Sequence, residues 1–100
     1  ATFKIGDSGI TLMESMADGS PIDRFIRRRG EGIFSITVTV RNMEEVTEDL
    51  RKRGVEVILG APIMSENVRA FDKTYRIVKA NFIHPRSLHG VLLELQELVD

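Results

Sequence analysis

The hydrophobic and polar positions set out the elements of this chain. Over residues 33–40, Phe34, Ile36, Val38 and Val40 share one parity and Ser35, Thr37 and Thr39 the other, the period-two pattern of a half-buried strand. Met43, Val46 and Leu50 then recur at helical spacing. Asn42 and Glu45 supply a capping-box pattern at the start of that helix, and Arg51, Lys52 and Arg53 sit before Gly54, where the negative end of a helix attracts cations. Ile22, Phe25 and Ile26 mark a shorter helix. It begins at Ser20-Pro21-Ile22-Asp23, with a hydroxyl acceptor at N-cap and proline at N1, and Gly30 ends it.

The remaining runs predict strands. Residues 2–5 and 10–14 flank Gly6-Asp7-Ser8-Gly9, which reads as a hairpin. Residues 55–59 resume strand character, residues 60–73 with Pro62 read as a loop or flap, and residues 75–83 and 91–95 read as final strands joined by a turn around Pro85-Arg86-Ser87. The order is strand, strand, helix, then strand, helix, strand, strand, strand. It suggests a repeat whose first copy is shortened: residues 1–30 the remnant of a first module and residues 31–100 a complete second one, within a single α+β domain of residues 1–100.

Composition narrows the function. With 42% hydrophobic and 29% charged residues the chain is expected to fold as a soluble domain, and at 100 residues it buries only about 60–65% of its unfolded surface, so a partner is expected to add stability. A net charge of -1 and pI near 6.2 give no positive field for nucleic acid. No apolar run approaches the roughly 18 residues of a membrane span, and no secretory signal opens the sequence, so a cytoplasmic location is the expectation. Cysteine is absent, which removes thiolate catalysis and zinc-thiolate sites. Ala1 in place of an initiator Met suggests an upstream segment that was trimmed or lies on another chain.

A resemblance then becomes visible. Phe3-Lys4-Ile5-Gly6-Asp7, Ile10-Thr11-Leu12-Met13-Glu14, Ser20-Pro21-Ile22 and Arg29-Gly30-Glu31-Gly32-Ile33 succeed one another as in the methylmalonyl-CoA epimerase group of the vicinal-oxygen-chelate (glyoxalase/bleomycin resistance) superfamily. Leu50-Arg51-Lys52-Arg53-Gly54-Val55, Phe82-Ile83-His84-Pro85-Arg86-Ser87 and Gly90-Val91-Leu92-Leu93-Glu94-Leu95 continue it. The resemblance implies βαβββ modules, here preceded by a shortened ββα one, with a curved mixed sheet around a cleft. In such enzymes a divalent metal chelates neighbouring substrate oxygens while carboxylates move the proton next to the carbonyl. The family's opening strand, helix and strand, with one His ligand and a second catalytic carboxylate, would fall before Ala1.

Carried over position by position, the family's Gln or Glu ligand corresponds to Thr11, a His ligand to Ser35, and the Glu of the closing strand to Glu94. One carboxylate and two alcohols make a poor divalent site. The resemblance therefore implies a remnant site in which Glu94 is the catalytic acid or base and the surviving ligand, with Thr11, Ser35 and Thr37 binding substrate. Glu94 is otherwise a solvated or paired structural residue, and alternating hydroxyls also suit any half-exposed strand. Arg24, Arg27, Arg28 and Arg29 match either CoA phosphates or a solvated helix face, and His84 and His89 fit a turn better than a metal site. Tyr75, Arg76 and Lys79 receive no role.

The expected function is an epimerase-like protein that binds a small carbonyl or acyl-CoA compound and transfers a proton next to the carbonyl. The alternatives are a non-catalytic ligand-binding or assembly subunit, and a metal-dependent glyoxalase-type lyase with ligands from a second chain. An isomerase or lyase is implied if the chain is active. A homodimer is expected, because a sheet lacking strands leaves edges that a second copy can cover.

Overall fold

The computed structural model describes residues 1–70 and 73–100, which form two compact units, Ala1–Phe34 and Ser35–Asp100. In the first, strands β1 (Thr2–Ile5) and β2 (Ser8–Thr11) pair antiparallel, and helix α1 spans Pro21–Arg29. The hairpin reverses at Gly6-Asp7, where Gly6 adopts φ 58, a left-handed angle that a glycine tolerates without a Cβ clash. β2 stops at Thr11, so residues 12–14 of the expected strand lie outside it, although Leu12 still exchanges backbone hydrogen bonds with Ala1.

α1 is built by its caps. The Asp23 N–H donates to Ser20 Oγ over 3.1 Å, Asp23 Oδ2 accepts from the Gly19 N–H over 2.9 Å, and Gly30 at φ 76 closes the helix with its N–H on Ile26 O. The Gly19 N–H first, and the Arg27 side chain after it, hold the Asp23 carboxyl below its usual range. Phe25 meets Phe34 edge-on at 5.3 Å.

The second unit has the order β3 (Ser35–Thr39), α2 (Met43–Lys52), β4 (Ile63–Ala70), β5 (Lys73–Ile83), a 3₁₀ turn Pro85–Leu88 and β6 (Leu92–Val99). Its mixed sheet runs β3-β6-β5-β4, with β3 parallel to β6 and the other pairs antiparallel. The βαβββ order is as expected, but one strand is not where the sequence pattern put it. Residues 55–59 make only the isolated bridge Val57–Ile83, whereas residues 60–73, expected to be a loop, supply β4. Phe71 and Asp72, which fall in that expected loop, lie outside the described residues.

α2 starts as predicted: Asn42 Oδ1 accepts from the Glu45 N–H, and the two side chains are joined over 3.0 Å. Met43, Ile83 and Leu95 are buried together, with Val46, Leu50, Val55 and Leu93 packed around them. This is one face of the sheet, the parity that carries Leu93, Leu95, Asn81 and Ile83. Glu97 Oε1 also accepts from the Met43 N–H over 2.7 Å, tying the first turn of α2 to β6. The opposite parity forms the other face, and there Ser35, Thr37 and Glu94 fall. No helix among the described residues is long and apolar enough to cross a membrane.

Candidate functional site

Strand pairing arranges that other face as rungs. In the parallel β3–β6 ladder, Ser35 is opposite Leu92, Thr37 opposite Glu94 and Thr39 opposite Gln96. In the antiparallel β5–β6 ladder, Phe82 is opposite Glu94 and Ala80 opposite Gln96. Paired residues project to the same side, and neighbouring strands lie about 4.7–4.9 Å apart. Thr37, Glu94 and Phe82 therefore form one continuous rung: an alcohol, a carboxylate and an aromatic ring.

Glu94 is half-buried between those neighbours and the half-buried Leu92. Burial pushes its carboxyl above the ordinary value, because the charged form loses hydration. Among the described residues, no cation or hydrogen-bond donor engages its side chain. Glu44 differs: it is held below its usual range, first by the hydrogen bond from Lys79, and Lys79 is raised in turn by Glu44. Glu94 is thus an unpaired acid among the described residues, on the sheet face opposite the core.

The structure brings Ser35, Thr37 and Glu94 onto this face. Thr11 belongs to the first unit, where its hydroxyl meets Thr2 Oγ1 at 3.1 Å. Two neighbours escaped the sequence reading. Phe82 sits in a run read only as strand, and Gln96 shares the parity of Glu94 but was given no role; its Nε2 donates to Thr39 Oγ1 over 3.1 Å. The parity of Gln96 was the available signal. Nothing local to Phe82 announced its position.

Arg24, Arg27, Arg29 and His84 have other partners among the described residues. Arg27 donates to Asp23 over 2.9 Å, Arg24 donates to Gly19 O, and Arg29 lies over the Phe25 ring. His84 caps the 3₁₀ turn, its Nδ1 accepting from the Arg86 N–H over 3.0 Å, and His89 follows at φ 53. Lys79 pairs with Glu44 over 2.8 Å, Lys73 lies over the Tyr75 ring, and Arg76 donates to Asp100 O over 3.2 Å.

The residues present do not fit a divalent metal. Glu94 is one anionic oxygen donor, Ser35 and Thr37 are neutral alcohols, and no cluster of three or more His, Cys, Asp or Glu occurs among the described residues. What the face offers instead is a carboxyl of raised pKa with the Thr37 hydroxyl and the Phe82 ring on the strands beside it.

This fold, and the order of its motifs, fit the vicinal-oxygen-chelate, epimerase-like family, although no family model matches the sequence. The chain is similar to a hypothetical protein, BH1468, from Bacillus halodurans, with 35% identity and TM-score 0.80 over 99% of this chain and 65% of that one. It is also similar to methylmalonyl-CoA epimerase from Mycobacterium tuberculosis, with 28% identity and TM-score 0.75 over 99% of this chain and 61% of that one. Mitochondrial methylmalonyl-CoA epimerase of Dictyostelium discoideum is 31% identical over 93 residues, 88% of this chain and 48% of that protein. A Streptomyces coelicolor methylmalonyl-CoA epimerase in complex with 2-nitronate-propionyl-CoA matches at 25% identity and TM-score 0.65, over 87% of this chain and 56% of that one. The chain thus spans between about half and two thirds of the length of these relatives.

Proposed function

We propose that the chain binds a small carbonyl or acyl-CoA compound against the Thr37–Glu94–Phe82 rung, with Glu94 exchanging the proton on the carbon next to the carbonyl. The observation that carries this reading is the unpaired, desolvated carboxylate of Glu94 facing away from the core. A carboxylate whose pKa is raised above its ordinary value is a stronger base toward a weakly acidic C–H. The likeness to epimerases, one of them solved with an acyl-CoA analogue, supports the ligand class.

In this reaction the Glu94 carboxylate takes the α-proton and becomes the carboxylic acid. The C–H electron pair forms the carbon–carbon double bond of the enolate, and the carbonyl electrons move onto oxygen. Thr37, one strand away, donates a hydrogen bond to that oxygen as its charge grows. Ser35, on the same face, completes the substrate-binding set, and Phe82 excludes water from the carboxylate. The proton returned from Glu94 to the same face gives exchange. Inversion requires a second acid on the opposite side of the carbon.

Incubation with methylmalonyl-CoA and with propionyl-CoA in deuterated water, followed by NMR of the α-position, tests the reading. Exchange above the protein-free rate is expected with at least one of them. Binding of either compound with no exchange in both would replace catalysis by ligand binding.

A further inference from the structure

One rung along the strands from Glu94, the same face carries an oriented carboxamide. Thr39, Gln96, Ala80 and Ile63 lie in register across β3, β6, β5 and β4 and share the parity of Glu94. Gln96 Nε2 donates to Thr39 Oγ1 over 3.1 Å, which turns Oε1 away from β3. Among the described residues no other hydrogen bond engages the Gln96 side chain, so Oε1 is left as a neutral acceptor for a ligand. Gln96 is half-buried, and Ala80 beside it has no side chain beyond Cβ to cover that oxygen. Because Thr39 already holds the carboxamide, less rotamer freedom is lost when a ligand binds there.

The spacing of the two rungs says what kind of ligand reaches both. Residues two apart on a strand are separated by about 6.6–6.8 Å. An extended chain advances about 3.3–3.6 Å over three bonds, so five bonds, two of them longer bonds to sulfur, cover roughly 6 Å. Five bonds separate the reacting carbon of an acyl thioester from a nitrogen placed two carbons beyond the sulfur. With that carbon at Glu94, such a nitrogen falls at Gln96, and an amide N–H there meets Oε1. The arm runs this way because the Gln96 rung continues across all four strands. On the other side of Glu94 the rung is Ser35 with Leu92, and β5 has ended at Ile83.

We infer that Gln96 Oε1 accepts the N–H of a secondary amide on the arm that carries the acyl group, with Thr39 as the residue that positions the carboxamide. This deepens, and rests on, the proton-exchange reading above. The ligand class is an acyl thioester of a 2-amidoethanethiol, the end of a pantetheine-type arm, in preference to a free ketone or a thioester whose arm has no amide.

NMR titration of the native chain with two propionyl thioesters tests this: the N-acetylcysteamine thioester and S-(2-acetoxyethyl) propanethioate. The two differ by an amide N–H in one and an ester oxygen in the other. The amide is expected to bind about tenfold tighter, since the ester loses the hydrogen bond and sets an acceptor against Oε1. Gln96→Leu is expected to bring the two affinities within about twofold, whereas Gln96→Glu keeps an acceptor oxygen there and is expected to retain the preference for the amide. Thr39→Val releases the carboxamide and is expected to narrow the preference to about threefold, a second reading should Gln96→Leu fold poorly. Equal binding of the two thioesters by the native chain, or a preference unchanged in both Gln96→Leu and Thr39→Val, would overturn the inference. Exchange of the α-proton in deuterated water, followed on the same samples, reads Glu94 separately: exchange without an amide preference leaves the proton-exchange reading standing and sinks this one. Failure of the native chain to bind either thioester would overturn both.

Discussion

Thr37 and Glu94 stand opposite each other across the parallel β3–β6 pair, although 57 residues separate them in sequence. That register gives the carboxylate a hydroxyl on one side, while the antiparallel β5 places Phe82 on the other. The chemistry proposed above follows from this one rung.

The pH dependence of stability follows from Glu94. Its carboxyl is raised from 4.5 by burial, so between that value and the folded value the native state holds more protons than the unfolded state. Stability therefore falls as pH rises through this window and stays lower above it. Glu94→Gln has no charge to desolvate and is expected to be more stable than the native chain at neutral pH, with the advantage gone at about pH 4. Urea midpoints at both pH values measure this; an equal difference at both would contradict it.

The core prediction concerns Met43. It is fully buried between α2 and the sheet with Ile83 and Leu95. Met43→Ala removes most of that side chain and leaves a cavity, at a cost of roughly 2–5 kcal/mol in urea unfolding. A loss under about 1 kcal/mol would mean the core is not packed there as described.

A third expectation concerns Asn81, a polar residue only 1% exposed. Its Oδ1 accepts from the Leu59 N–H over 3.1 Å, and its Nδ2 donates to Leu59 O over 3.0 Å, replacing the strand pairing that residues 55–59 lack. Asn81→Leu strands the Leu59 N–H, while Leu59 O keeps the Arg51 guanidinium as a donor, and is expected to cost roughly 1–3 kcal/mol. Amide exchange at Leu59 reads the same event, and unchanged protection there would refute the role.

The parts of this structure that were legible in the sequence are the locally determined ones. Ser20-Pro21 and Asn42 announce their helices because a cap is satisfied within three residues. The parity of Thr37 and Glu94 is likewise written in the alternation of their own strands. β4 was not legible: it is an edge strand whose side chains are mostly exposed, and Glu66, Asn67 and Arg69 carry no apolar alternation. Residues 55–59 misled in the opposite way, since β-branched Val55, Val57 and Ile58 suit a strand but make only the Val57 bridge. Phe82 beside Glu94, and Gln96 bonded to Thr39, depend on a register between distant segments that only tertiary pairing sets.

The most direct measurement is a carbon-13 titration of the glutamate carboxyls, with the Glu94 signal assigned by its loss in Glu94→Gln. Its midpoint is expected above that of the exposed glutamates, and the same signal is expected to shift when propionyl-CoA is added. A Glu94 carboxyl that titrates with the exposed glutamates and ignores the ligand would contradict a desolvated base on a ligand-binding face.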